Sequence, residues 1–429
     1  MIGANWKNGR MASSVTPPRG MRDFLPADKA RREHALGSIR QAYRAHGFDE
    51  IETPVMEDAA YLHAGLGGDN EKLAFAVMRR GITDEALAAA AASGDALSLA
   101  DLGLRFDLTV PLARFYASHR ADLPAVFRAI QVAPVWRAER PQKGRFRQFM
   151  QCDIDIIGEA GMLAEVELIS ATASAIDALG LVGCRIRVND RRILARLLDT
   201  WAVPAELHER ALITIDKLDK IGVSGVAEEL AGLGVDAASA AETLGSIQNA
   251  GWHLADEGEP PAWLDLDVYD ELLAIRAAVT GIELDFDPTL VRGMGYYTGT
   301  IFEISHPELG YSLGGGGRYD GMIGRFLGSE VPACGFSIGF ERIIDLLADD
   351  DDAVTDAVLV IHEKNASPAE LMALKQRLVA EGARVRLAGR TKNTRALLER
   401  ALADGFSRYA FVAADGEIGP FRPLGSSLD

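Results

Sequence analysis

Apolar residues recur at helical spacing in Leu36, Ile39, Ala42 and Tyr43, which predicts a helix over residues 27–46 that Gly47 stops. The run FDEIETPVM then alternates like a strand and ends at Pro54. Residues 84–99 are rich in alanine and read as a short helix or a surface insertion. Residues 102–116, LGLRFDLTVPLARFY, begin as a strand and turn helical after Thr109. Pro111 falls in the first turn, where its missing N–H costs nothing. An amphipathic helix follows over 162–179, with Glu165 and Glu167 near its positive end and Gly180 past its close.

Residues 136–158, WRAERPQKGRFRQFMQCDIDIIG, mix five cations and three carboxylates with apolar positions. The pattern fits two strands around a basic loop. Val135, Arg137 and Glu139 share one parity, and Gln151, Asp153 and Asp155 another, so a hairpin puts Arg137, Glu139 and Asp155 on one face. Over 189–284 the chain shifts to helical segments such as VAEELAGL and AAETLGSI, which reads as an inserted helical subdomain. Strand character returns after it. An acidic linker, residues 349–352, precedes a tail in which DAVLVIH, ARVRLA and YAFVAA alternate with helices over 368–381 and 394–404. That alternation implies a small α/β domain with a parallel sheet.

Composition sets the class without naming a chemistry. At 429 residues, 48% hydrophobic and 25% charged, the chain suits two or three globular domains. No apolar run is long enough for a membrane span, and the start lacks the apolar core of a secretory signal, so the expected location is the cytoplasm. Cys152, Cys184 and Cys334 are far apart and without metal-ligand spacing, which disfavours a disulfide scaffold and a zinc site. The eight histidines are scattered.

Net charge is −17, which argues against a chain that coats nucleic acid. The tail from Thr355 is the exception, with eleven lysines and arginines against nine acids. Within it Arg384, Arg386, Arg390, Lys392, Arg395 and Arg400 face only Glu399, a local basic patch suited to a polyanion.

GGGGRYDG, residues 314–321, is neither a phosphate loop nor a dinucleotide fingerprint, since GK[ST] and a helix-opening GxGxxG are both absent. Glycines there permit either a loose turn or close approach of backbone to a ligand or strand. Tyr296, Tyr297, Tyr311 and Tyr319 surround this run near Arg292, and read either as strand packing or as a partly aromatic pocket for a planar polar group. In ACGFSIGFERIIDLL, Gly335 and Gly339 bound a short strand, and Glu341 and Arg342 open a helix.

Taken in order, these segments resemble the histidyl-tRNA synthetases, a family of class II aminoacyl-tRNA synthetases, from RGMRDFLP (residues 19–26) to near the C-terminus. ETPVME, with Pro54, is similar to motif 1, WRAERPQKGRFRQFMQCDIDIIG to motif 2 and GFSIGFER to motif 3. RGMGYYTGTIFE and GGGGRYDG are similar to the two signatures peculiar to the histidine-specific members, and VNDRRIL with IDKLDK to their inserted region.

The resemblance implies an α+β fold: a class II antiparallel-sheet catalytic domain over 20–188 and 285–348, a helical insertion over 189–284, a C-terminal α/β anticodon-binding-like domain over 354–429, and a flexible extension over 1–19. It implies a homodimer that uses ATP with Mg²⁺ to convert L-histidine to histidyl-adenylate and then charges tRNA(His). Arg137 and Arg292 would be catalytic. Arg137, Glu139, Arg145, Phe149 and Arg342 would surround ATP. Asp107, Thr109, Gln151, Asp155, Arg292, Tyr296, Tyr297 and Tyr319 would hold histidine. No metal ligands are assigned.

Two features depart from the family pattern: Gly295 stands where aspartate is frequent, and the C-terminal domain is short of its last elements. A regulatory paralogue that binds histidine without charging tRNA is the main competing reading, but such proteins lose the arginines that Arg137, Arg292 and Arg342 match. An enzyme that activates histidine for another acceptor is the third.

Overall fold

The computed structural model describes residues 15–63, 73–142, 144–247, 251–254, 259–292, 295–347, 356–413 and 416–425. Most of the expected N-terminal extension and the acidic run 349–352 lie outside these residues. The described strands are β1 (Asp49–Glu50), β2 (Met56–Asp58), β3 (Phe75–Met78), β4 (Ala100–Leu104), β5 (Phe127–Trp136), β6 (Gln148–Ile157), β7 (Arg185–Asp190), β8 (Glu283–Phe286), β9 (Thr300–Ser305), β10 (Gly314–Arg318), β11 (Ala333–Gly339), β12 (Ala357–His362), β13 (Arg384–Gly389), β14 (Arg408–Val412) and β15 (Arg422–Pro423). They belong to two compact units: the described residues through Asp23 with Ala35–Leu346, and Phe24–His34 with the described residues from Leu347 onward.

The larger unit is built on an eight-stranded sheet in the order β1-β5-β6-β11-β10-β9-β7-β8. Its central pairs are antiparallel, but both edge pairs, β1 with β5 and β7 with β8, are parallel. The sheet is therefore antiparallel through its centre, as the resemblance implies, with one parallel strand added at each edge. Each parallel pair is joined by a long crossover, as parallel neighbours require. The small sheet β2-β4-β3 lies within one crossover, and the helices of residues 191–278 within the other.

The strand expected over FDEIETPVM is only two residues long. Beyond it the carbonyls of Thr53 and Pro54 accept from Nη1 of buried Arg105 at 2.8 and 3.3 Å, so backbone acceptors here are satisfied by a side chain instead of a strand neighbour. The alanine-rich segment forms the helix Asp84–Ser93, capped by Thr83, followed by a short 3₁₀ turn. After β4 the helix Thr109–His119 begins as its sequence predicts.

The charged hairpin exists, but its first arm is β5, upstream of where parity placed it. Arg137 and Glu139 follow the strand and lie in the turn. The second arm, β6, alternates as expected: Cys152, Ile154 and Ile156 fall on one side, and Gln151, Asp153 and Asp155 on the other. All six are buried. Helix Leu163–Ala178 packs against β6 and β11, so a polar face buried with the apolar one must line an internal space.

β7 leads into helix Arg191–Thr200 through Asp190, whose carboxylate accepts from the amide of Arg192 at 2.8 Å and caps it. Further helices span His208–Ile215, Leu218–Ala231, Ala237–Ile247 and Leu266–Ala278 before β8 returns to the sheet.

In the smaller unit the sheet order is β13-β12-β14-β15, parallel except for β15. Val358 and Val360 of β12 join one apolar cluster with Leu371, Leu374 and Leu378 of helix Pro368–Ala380. Leu359 and Ile361 join another with Leu398 and Ala401 of helix Thr394–Ala403. Strand alternation thus places one helix on each face. Three of the six cations of the basic stretch are paired with carboxylates: Arg386 with Asp404, Arg390 with Glu363 at 2.6 Å and Arg395 with Glu399 at 2.9 Å.

Candidate active site

Strand register builds the site. Asp155 lies opposite Gly335, Asp153 opposite Ser337, and Gln151 opposite Gly339 on β6 and β11; Gly315 and Gly317 of β10 then oppose Ser337 and Gly335. Large polar side chains on one strand thus face small residues on the next two, which opens a cavity of about 130 Å³ over the middle of the sheet. It is lined by Asp107, Thr109, Arg137, Gln151, Asp153, Asp155, Arg292, Tyr296, Tyr297 and Tyr319, together with Gly315, Gly316, Gly335, Phe336 and Ser337.

The glycine run is therefore a central strand, and its lack of side chains has a purpose. A Cβ on Gly315 would meet the Arg292 guanidinium carbon at 2.8 Å. Only bare backbone lets that guanidinium lie on the sheet. Nη1 of Arg292 donates to Oε2 of Glu303 at 2.6 Å, and Glu303 also pairs with Arg187 at 3.4 Å.

The other polar groups are held by one another and by neighbouring backbone. The Nε of Arg137 donates to the Phe106 carbonyl at 3.0 Å, anchoring this arginine to the connection that carries Asp107. Asp107 Oδ1 accepts from the amide of Val110 at 3.2 Å. The Tyr319 hydroxyl donates to Asp155 Oδ1 at 2.6 Å. Nε2 of Gln151 donates to Asp153 Oδ2 and to Ser337 Oγ, both at 3.1 Å, and the Ser337 hydroxyl donates to Asp153 Oδ1. Tyr296 shares a side-chain hydrogen bond with Thr109, and its ring meets Tyr319 edge-on with centroids 6.0 Å apart.

Three buried side-chain atoms on these residues lack any partner: Asp107 Oδ2, Gln151 Oε1 and Arg292 Nε. Buried polar atoms are nearly always paired. Two acceptors and a donor converging on one cavity therefore define the complement of a ligand that carries both a donor group and an acceptor group.

Electrostatics agree. Burial pushes the Asp107 carboxyl up to about 6, against the Val110 hydrogen bond and the charge of Arg137. Burial raises Asp155 to about 7, opposed by the Tyr319 bond. Asp153 is raised well above the ordinary carboxylate range by burial and then by neighbouring Asp155. Burial works against the charge on Arg292, but Tyr297 and Glu303 outweigh it. Perturbed groups gathered in one cleft mark a functional centre.

Of the site residues expected from sequence, Asp107, Thr109, Arg137, Gln151, Asp155, Arg292, Tyr296, Tyr297 and Tyr319 meet in this cavity. Glu139, Arg145, Phe149 and Arg342 do not line it. Glu139 pairs with Arg145 at 3.1 Å within the β5–β6 loop, and the Arg137 guanidinium lies 5.0 Å from the Phe149 ring centre. Arg342 bonds the Ser312 carbonyl and lies over Tyr311, which is outside the cavity. Burial lowers the Arg342 pKa, with Arg145 and Arg292 adding to the effect, so these three cations sense one another.

Glu341 of helix Phe340–Ile344 accepts from the amide of Met150 at 3.1 Å and pairs with Arg22, whose guanidinium covers Phe146 at 3.5 Å. Asp153, Ser337 and Glu303 were missed as site residues. The alternation of β6 already carried Asp153 beside Gln151 and Asp155; Ser337 and Glu303 lie within GFSIGFER and RGMGYYTGTIFE, but nothing in those strings singles them out.

A mixed sheet with a polar trough on one face, cations at its end and a helix beneath is the class II aminoacyl-tRNA synthetase fold. The solved histidyl-tRNA synthetase of Nostoc sp. PCC 7120 superimposes with a TM-score of 0.72 at 24% identity, covering 96% of this chain and 97% of that one. An ATP phosphoribosyltransferase regulatory subunit/histidyl-tRNA synthetase from Bacillus halodurans gives 0.73 at 20% identity, covering 94% and 99%. The histidine–tRNA ligase of Leifsonia xyli is 62% identical over 421 residues, 94% of this chain and 97% of that protein. A probable histidine–tRNA ligase of Tropheryma whipplei is 38% identical, covering 96% and 99%. The family model described as Histidyl-tRNA synthetase matches residues 20–343. The chain belongs to the histidyl-tRNA synthetase family.

Proposed function

We propose that this chain activates L-histidine with ATP and transfers the histidyl group to the 3′ end of tRNA(His). The observation that carries the site assignment is the set of unpartnered atoms in the cavity. Asp107 Oδ2 and Gln151 Oε1 accept from the α-ammonium group, with Thr109 beside them. The Asp155–Tyr319 pair addresses one imidazole nitrogen, and Tyr296 and Tyr297 wall the ring. A site that pairs both ends of a polar side chain rejects analogues that leave those groups unmet.

In the first step a carboxylate oxygen of histidine attacks the α-phosphorus of ATP in line, the bond to the β-phosphate oxygen breaks, and pyrophosphate leaves. Negative charge grows on the phosphoryl oxygens, where Arg137 and Arg292 stabilise it. Phe149 stacks on adenine, Glu139 binds beside it, and Arg145 and Arg342 take the outer phosphates. Mg²⁺ arrives with ATP as the counter-ion of those phosphates, as part of the substrate. In the second step a ribose hydroxyl of the terminal tRNA nucleotide attacks the mixed anhydride and AMP leaves.

The working form is a cytoplasmic homodimer, and the C-terminal unit, residues 354–429, meets the anticodon arm of tRNA. Among the described residues no helix is long and apolar enough to cross a membrane. Histidine-dependent exchange of pyrophosphate into ATP, run beside charging of a tRNA(His) transcript, tests the function. Both activities are expected. Exchange without charging would redirect the enzyme to another acceptor, and no exchange would leave only histidine binding.

A further inference from the structure

Gln151 contributes one side-chain amide to the cavity, and an amide has two faces of opposite character. Its usefulness to a cationic ligand depends on which face looks inward. Oε1 is buried and unpartnered, while Nε2 reaches Asp153 Oδ2 and Ser337 Oγ at 3.1 Å each. Ser337 cannot serve Gln151 as a donor, because its single hydroxyl hydrogen is already given to Asp153 Oδ1. With Asp153 ionised, as donation to both of its oxygens requires, the three side chains close a ring in which every polar contact opposes a flipped amide. Turning Gln151 over would set Oε1 against a carboxylate and a hydroxyl oxygen.

We propose that Asp153 is a positioning residue, which with Ser337 locks the Gln151 amide so that its oxygen, not its nitrogen, faces the ammonium group of the substrate. The inference rests on the assignment of Gln151 to that ammonium group. Asp153 is itself only 5% exposed and lies opposite Ser337 in the strand register. A carboxylate at this depth is costly to bury unless it does something. Here it fixes the polarity of a neighbour that touches the ligand.

Asp153→Asn leaves one acceptor oxygen where two stood, so it cannot accept from both Gln151 Nε2 and the Ser337 hydroxyl, and the ring no longer fixes which way the Gln151 amide faces. Steady-state pyrophosphate exchange should then show KM for histidine raised ~10- to 100-fold, the range for losing a hydrogen bond to a charged group. KM for ATP should stay within about twofold and kcat should fall less than KM rises. The deciding comparison is a double-mutant cycle with Gln151→Ala. If Asp153 acts through Gln151, adding Asp153→Asn to Gln151→Ala changes KM for histidine by less than about twofold. A full, multiplicative effect in the double variant would overturn the proposal, because Asp153 would then act on the ligand or the fold independently. If Gln151→Ala alone leaves KM for histidine unchanged, the assignment of Gln151 fails and the proposal falls with it. Should Asp153→Asn not fold, Ser337→Ala, which removes the shared hydroxyl, is read in the same cycle with the same criteria.

Discussion

A methyl group on Gly335 would fall 2.0 Å from Oδ1 of Asp155 and 3.2 Å from the Tyr319 ring. The carboxylate occupies space that only glycine leaves open on the neighbouring strand. Gly335→Ala must therefore push Asp155 away and break its bond to Tyr319. KM for histidine in pyrophosphate exchange should rise at least ~10-fold, with KM for ATP nearly unchanged.

Arg292 should be separable from folding. Glu303 retains Arg187 as a partner when Arg292 is removed, so no carboxylate is stranded. Arg292→Ala should slow single-turnover adenylate formation ~10²- to 10³-fold, the scale for losing one donor to a developing oxyanion. The melting temperature should move by only a few degrees, which thermal denaturation checks.

Glu341 ties the amide next to Phe149 to Arg22, and Arg22 covers Phe146 of the same loop. Loosening that strap should affect ATP first. Glu341→Gln is expected to raise KM for ATP roughly 3- to 30-fold while KM for histidine stays within about twofold, read in the same exchange assay.

The cavity carboxyls give a pH dependence with a definite sign. Asp107 at about 6 and Asp155 at about 7 hold protons in the folded protein that the unfolded chain has lost near 3.8. Stability of the unliganded protein should therefore fall as pH rises from about 4 through about 7. Histidine prefers the ionised carboxyls, so its KM should fall across about pH 6–7 and level off above. Free imidazole itself titrates near ~6.5. The share of Asp155 is the part that Asp155→Asn removes, measured as KM against pH for both proteins.

Much of this arrangement was legible in the sequence, for local reasons. The alternation in β6 placed Gln151 and Asp155 on one face, and the helix start at Thr109 followed from its flanks. The first arm of the hairpin is placed too far along because Arg137 and Glu139 continue the parity of β5 past its end at Trp136, with the Arg137 amide still bonding across to the Arg147 carbonyl at 2.8 Å. GGGG left a turn and a close approach open, since glycine satisfies both; what decides between them, Arg292 and the backbones of β9 and β11, lies outside the run. Asp153 shares the face of Gln151 and Asp155 in the sequence pattern, but its part in the site, like those of Ser337 and Glu303, depends on register between strands far apart in the chain. Within residues 384–400 the cations have only Glu399 among them, because Glu363 and Asp404, which pair with Arg390 and Arg386, lie outside that segment.

The central claim, that the cavity over the middle of the sheet holds histidine, is tested most directly by the KM for histidine in pyrophosphate exchange for the parent protein and Asp155→Ala. The account predicts exchange that depends on histidine, with its KM raised at least ~10-fold in Asp155→Ala and KM for ATP within about twofold. An unchanged KM for histidine, in a variant that remains folded, would place the amino acid elsewhere and contradict the account.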